Sequence, residues 1–299
     1  MQFGRFDTEV ALGQLRTLFE LEPIFKRRGL AVAAFEERDH LLIDPEARPE
    51  LFYGLLSDTS FRILAAVVAN SGPLRREEIL ERLTWMNPEV IQTHLDEAVN
   101  AGMIGVDNGT YRTPRDLGFG STLECFVASV FVRELASIAY WGVRVEGLTG
   151  DYDVVVIRDT QLGYVECKSG RLANIGDADL YNFLDRERRL CPAFSAVLID
   201  GISRDSAGEV ARRLAQLGGA YRWTLPAILG SSTPMDVELK VEEYRWFSRL
   251  VPINCFVLEG RRPVASSLGE LYRFLTAVRD RALPIENETA KAQFRDGSP

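Results

Sequence analysis

With 299 residues, 46% of them hydrophobic, the chain has room for two domains that each bury a core. No run of about 18 uncharged apolar residues marks a membrane span, and a net charge of −8 speaks against a protein that simply coats nucleic acid. Two histidines, His40 and His94, all but exclude a histidine triad or a His-rich metal site. The four cysteines (Cys125, Cys167, Cys191 and Cys255) lie far apart with no C-x-x-C, as reduced thiols of a cytoplasmic protein would.

Residues 1–49 read as an extension of unknown fold, with a helix from Glu9 to Phe19 and a strand-like pair at Leu30 to Phe35 and His40 to Ile43. Arg5, Asp7, Glu9 and Arg16 interrupt its first half, so it reads as neither a span nor a secretory signal. Residues 50–115 carry clearer punctuation. Ser57-Asp58 caps a helix running to about Asn70, and Ser71-Gly72-Pro73 breaks it. A second helix spans Leu74 to Thr84, and Asn87-Pro88 opens a third that ends near Asn100 at Gly102. Met103 to Val106 and Thr110 to Thr113, joined by Asp107-Asn108-Gly109, form a β-hairpin.

Three helices and a hairpin predict a winged-helix domain. DNA readers place basic and amide side chains on the third helix, but here it offers Glu89, Asp96 and Glu97 and no basic residue. Only Arg112 and Arg115, on and after the wing, suit phosphates. Val90, Ile91 and Leu95 form either half of a dimer patch or the helix's own core face. Protein contact or dimerisation is therefore favoured over base reading.

Residues 116–284 alternate helical and strand-like runs, which predicts layered α/β architecture. Gly118-Phe-Gly120 lacks the lysine and spacing of a phosphate loop and reads as a linker. A helix follows from Ser121 to Tyr140, with Ser121/Thr122 as its cap and Glu124 early in its apolar face. Two strands, Val154 to Ile157 and Tyr164 to Cys167, flank a polar turn ending in Gly163. Residues i and i+2 of a strand share a face, so Glu166 and Lys168 point the same way, and pairing the strands carries Asp153 towards Glu166. Only four of the 35 basic residues are Lys (Lys26, Lys168, Lys240 and Lys291), which makes a strand lysine look chosen for its compact ammonium. Beyond lie a helix at Asp179 to Leu190 bearing Arg186, Arg188 and Arg189, a strand at Phe194 to Ile199 and a helix at Asp205 to Leu217. A helix at Val237 to Leu250, a strand at Ile253 to Leu258 and a helix at Ser266 to Leu283 complete the series. Residues 285–299 read as a flexible tail.

Asp153 and, across the hairpin, Glu166-Cys167-Lys168 resemble the core of the PD-(D/E)xK nuclease superfamily. The resemblance covers Gly118 to Ile199. Within it, Gly120-Ser-Thr-Leu-Glu124 before a long apolar helix is similar to the nuclease domains of some CRISPR ancillary effectors. The chain departs from the family's name at the proline, where Tyr152 stands before Asp153.

The resemblance implies a restriction-endonuclease-like mixed sheet flanked by helices, behind an N-terminal winged helix. It implies Mg²⁺ or Mn²⁺ held by Asp153, Glu166 and the Cys167 backbone carbonyl with help from Glu124. Lys168 orients or deprotonates the attacking water during phosphodiester hydrolysis. DNA is the first choice of polymer and RNA the second, with Arg112, Arg115, Arg171, Arg186 and Arg189 as candidate phosphate contacts. A homodimer is expected, an unidentified activating partner is left open, and a membrane is not expected. The competing class is a catalytically silent scaffold or winged-helix regulator, against which the intact Asp153, Glu166 and Lys168 argue.

Overall fold

Residues 154–157 and 196–199 are apolar at consecutive rather than alternate positions, the pattern of strands covered on both faces. The computed structural model places both near the centre of an eight-stranded mixed sheet. It describes residues 21–158, 161–169, 175–201, 204–219, 239–244, 247–251 and 254–281. The main-sheet strands are β1 (Val32–Phe35), β5 (Ile138–Val145), β6 (Asp151–Arg158), β7 (Gln161–Ser169), β8 (Phe194–Asp200), β9 (Lys240–Glu243), β10 (Phe247–Val251) and β11 (Cys255–Gly260). Their order is β1-β5-β6-β7-β8-β11-β10-β9. β7, β8 and β11 run parallel, and the remaining neighbours are antiparallel.

Helices cover both faces. α5 (Gly120–Glu134) and α8 (Val264–Arg281) bring Phe126, Phe131 and Leu268 against Val154, Val165 and Leu198. On the other face α6 (Asp177–Leu190) and α7 (Arg204–Gly219) bring Phe183 and Leu214 against Val155, Tyr164 and Val197. Each buried aliphatic side chain contributes about 1.5–3 kcal/mol, so the central strands are anchored from both sides. Among the described residues, no single helix is long and apolar enough to cross a membrane.

The N-terminal part comprises α1 (Pro49–Ser57), α2 (Thr59–Ser71), α3 (Arg76–Arg82) and α4 (Pro88–Asn100). A small sheet, β2 (Leu74–Arg75), β4 (Thr110–Arg112) and β3 (Gly105–Asp107), accompanies them. Asp58 caps α2 by accepting from the Ser60 and Phe61 N–H groups at 2.7 and 3.3 Å. Asn87 caps α4 from the Glu89 N–H at 2.8 Å, with Pro88 in the first turn. Ile91 and Leu95 are fully buried in the chain's own core, which leaves Val90 as the exposed member of the expected dimer patch.

α2 crosses the carboxyl ends of the parallel strands. Asn70 donates to the Ser169 hydroxyl at the end of β7 (3.3 Å), and Ile63 packs beside Gly201 after β8. Beside Ile63, the fully buried Arg62 pairs with Asp200 through contacts of 2.9–3.2 Å.

Several expected elements take another form. The helix expected to reach Tyr140 ends at Glu134, Ala136 turns the chain with φ +46°, and β5 begins at Ile138. The helix expected at Val237 to Leu250 is instead the β9–β10 hairpin, because Phe247 to Leu250 pair with Leu258 to Cys255 of β11. Tertiary pairing here outweighs local spacing. β1 pairs with β5 rather than with residues 40–43, where a short 3₁₀ turn, Arg38–His40, precedes the buried Leu41 and Leu42. Leu74 and Arg75 belong to a strand, so the second helix starts at Arg76. Gly163 lies inside β7 rather than in the turn, opposite Phe194, whose ring fills the space a Cβ would need. The expected Glu9 to Phe19 helix and the tail lie outside the described residues.

Candidate active site

The two-residue alternation of β6 slips at Asp153. Tyr152 and Val155 belong to the core on one face, and Val154 and Val156 to the core on the other. In β5 the matching position is Gly142, between the pairs Trp141↔Val154 and Val143↔Tyr152, with φ +57°. A Cβ at Gly142 would collide with Glu36, just beyond β1, whose own register shifts between Val32 and Ala34. The irregularity therefore crosses three neighbouring strands. It ends where β6 and β7 part: their ladder runs from Arg158↔Gln161 to Val154↔Val165, and one step further the Asp153 carboxylate accepts the Cys167 N–H at 2.7 Å.

On β7 the alternation is regular, so Tyr164, Glu166 and Lys168 share a face. Glu166 is 2% exposed and accepts from three directions. The Tyr164 hydroxyl donates to Oε2, the Lys168 ammonium lies 2.7 Å from Oε1, and Arg186 of α6 donates to Oε2 at 3.0 Å. Asp153 is 5% exposed. From α5, Glu124 projects an Oε2 that is buried and has no hydrogen-bond partner.

The electrostatics follow from that crowding. Burial, then the Asp151, Glu166 and Glu36 carboxylates, push Glu124 up to about 8. Burial, then Glu166 and Glu124, hold Asp153 well above the usual carboxylate range. Burial would lower Lys168, but the Glu166 and Asp153 carboxylates outweigh it and raise its pKa, so the ammonium stays charged. The Cys167 thiol is pushed up by burial and is no thiolate ligand.

The structure thus brings Asp153, Glu166, Lys168, Glu124 and the Cys167 main chain together. Arg112 sits exposed on β4 in the small sheet, and Arg189 pairs with Asp185 at 2.7 Å on the outer side of α6. Arg186 is turned inward onto Glu166. Arg171 and the Arg115 side chain lie outside the described residues. The expected Ser121/Thr122 cap is absent, because Thr122 is fully buried and its hydroxyl accepts the Leu42 N–H at 3.0 Å. Tyr164, Asp151 and Glu36 went unrecognised. The spacing of Tyr164, Glu166 and Lys168 and the Asp151-Tyr-Asp153 pattern were available as signals, whereas nothing local points to Glu36.

The donor set suits a hard divalent cation in charge and atom type: oxygen ligands only, mutually repelling, with one Glu124 oxygen unpartnered. Among the described residues no three His, Cys, Asp or Glu side chains stand as a ready-made ligand group.

No protein-family model matches the chain, and no curated protein matches it. Among solved structures it is similar to protein VC1899 from Vibrio cholerae, with 16% identity and a TM-score of 0.43 over 65% of this chain. It is also similar to Can2 from Sulfobacillus thermosulfidooxidans, solved in complex with cyclic tetra-adenylate, with 14% identity and a TM-score of 0.41 over 64% of this chain. The match spans 55% of each of those chains. The chain itself is a mixed α/β protein with a large sheet flanked by helices, and its acidic cluster sits where two central strands separate.

Proposed function

We propose that the chain is a metal-dependent nuclease of the PD-(D/E)xK type, with a restriction-endonuclease-like fold behind a winged helix. The observation that carries this reading is the convergence of Asp153, Glu166, Lys168 and Glu124 at the parting of β6 and β7, with a buried Glu124 oxygen left without a partner. Asp153 and Glu124 would hold Mg²⁺ or Mn²⁺, joined by the Cys167 carbonyl and by Glu166 once it exchanges a cation partner. Such an ion, when bound, acidifies water and stabilises charge on a scissile phosphate. Lys168 acts as a fixed positive donor that orients the water and phosphate; its raised pKa supports this role over proton abstraction. Arg186 and the Tyr164 hydroxyl keep Glu166 aimed.

DNA is the preferred polymer and RNA the second, in genome defence or DNA processing in the cytoplasm. A homodimer would supply two sites for double-strand cleavage by symmetry. Its interface needs more than the α4 face, where Ile91 and Leu95 are spent on the core; sedimentation of the full chain tests it. The test of the function is incubation of circular and linear DNA and of RNA with Mg²⁺, Mn²⁺ or EDTA, for wild type and Glu166→Gln. Metal-dependent products lost in the variant support a nuclease. Metal-dependent cleavage that survives Glu166→Gln unchanged refutes this site, and full-length protein inert on every polymer favours the scaffold.

A further inference from the structure

At the end of α2 remote from Asn70, a cleft of about 630 Å³ opens between the α2 N-terminus, the turn before α4 and the residues after β11. Its volume is that of a site for a small molecule. Trp85 stands at its wall, 59% exposed and without an aromatic partner among the described residues. Arg261 lines the same cleft and has no ion pair or hydrogen bond among the described residues. The neighbouring arginines are engaged: Arg62 with Asp200, and Arg262 with Glu259 at 2.9 Å. Asp58 supplies a third group. Its Oδ1 caps α2, while its Oδ2 has only His94 Nε2 at 3.9 Å, and the side chain is half exposed.

We propose that this cleft is a subsite for one unpaired nucleotide of a nucleic-acid strand. The base stacks on the Trp85 indole, an amino or imino N–H of its edge meets Asp58 Oδ2, and a phosphate meets Arg261. An apolar peptide would use the indole and leave Asp58 and Arg261 desolvated without partners, whereas a nucleotide offers a π-face, an edge donor and an anion together. A paired base inside a duplex presents no free face, so the cleft selects single strands. The inference rests on the nuclease reading and extends it. Asn70 touches Ser169, next to Lys168, and Ser60 lies about 15 Å back along the same helix. That distance is about four or five stacked nucleotides.

The test is fluorescence polarisation with full-length protein in EDTA, on three labelled probes: a single-stranded oligodeoxyadenylate, an abasic strand of equal length and a duplex. Wild type should bind the single strand more tightly than the duplex. Trp85→Ala should weaken oligodeoxyadenylate roughly tenfold and leave the abasic strand unchanged, and Trp85→Phe should keep most of the affinity. Arg261→Ala should weaken both single strands and lower the salt slope by about 0.7. The proposal is overturned if Trp85→Ala binds oligodeoxyadenylate like wild type, loses equally on the abasic strand, or if duplex binds more tightly. Asp153→Asn separates the two readings: metal-dependent cleavage that persists in it refutes the active site, whatever the binding arm shows for the cleft.

Discussion

The Asp153 carboxylate and the Cys167 backbone N–H are joined at 2.7 Å where the β6–β7 ladder gives out. An acid that caps a strand in this way is fixed by the main chain, and the residues flanking Cys167 are the two that converge on it. Asn can keep this acceptor and Ala cannot. Both Asp153→Asn and Asp153→Ala should lower metal-dependent cleavage by at least about a hundredfold. Asp153→Asn should also raise the melting temperature, since it removes one of several repelling buried carboxylates, whereas Asp153→Ala should lie about 1–2 kcal/mol below it. Equal stability of the two variants would show that the Cys167 contact contributes nothing.

Lys168 is a third exposed and bonded to a buried carboxylate that Arg186 also holds. Lys168→Arg should therefore fold like wild type yet lose nearly as much cleavage as Lys168→Ala, because a planar guanidinium cannot place its charge where a compact ammonium does. Recovery of most of the rate by Arg would reduce Lys168 to a generic counter-charge.

Gly142 permits the slip that sets Asp153 between the strands. Gly142→Ala places a non-glycine residue at φ +57° and drives a methyl group into Glu36. The expected cost is about 1–3 kcal/mol, with a cleavage defect that exceeds the loss of folded protein. Denaturant unfolding and cleavage per folded molecule, measured together, test this; a variant with full activity per folded molecule would detach Gly142 from the site.

The core of the site was legible because strand period alone aligns Glu166 with Lys168, and a hairpin carries Asp153 to them. The turn before Gly163 was placed too late and β5 was absorbed into a helix, yet neither error moved the three residues apart. β5 was illegible for a physical reason: its first four residues, Ile138 to Trp141, are apolar at consecutive positions although only partly buried, so they show no strand alternation. The inward turn of Arg186 was equally hidden. On α6 it alternates with acids like a solvated residue, and only the fold reveals that Glu166 lies beneath it. The β9–β10 hairpin required knowledge of β11, a partner not local to it.

Burial alone pushes the Glu187 carboxyl up to about 7, and Glu124 stands at about 8. The folded chain keeps protons on these groups that the unfolded chain has released. Stability from them is complete below the ordinary glutamate value of 4.5 and declines as pH rises towards about 7 for Glu187 and about 8 for Glu124. Glu187→Gln should remove the first part of that decline and raise stability at pH 8 by about 2 kcal/mol. Denaturant unfolding at pH 5 and pH 8 checks it; an unchanged pH dependence in Glu187→Gln would place the titration elsewhere.

The Arg62–Asp200 pair crosses the boundary that the sequence suggests near residue 115, and its two members stand 138 residues apart. During synthesis Arg62 therefore emerges roughly ten seconds before its carboxylate, at rates of about 5–20 residues per second. Until β8 leaves the ribosome, α2 carries a guanidinium that the finished core encloses completely. The inner face of the N-terminal helices is thus completed by a carboxylate that is made later. Within this chain, α2 precedes by more than a hundred residues the strand that neutralises its buried charge.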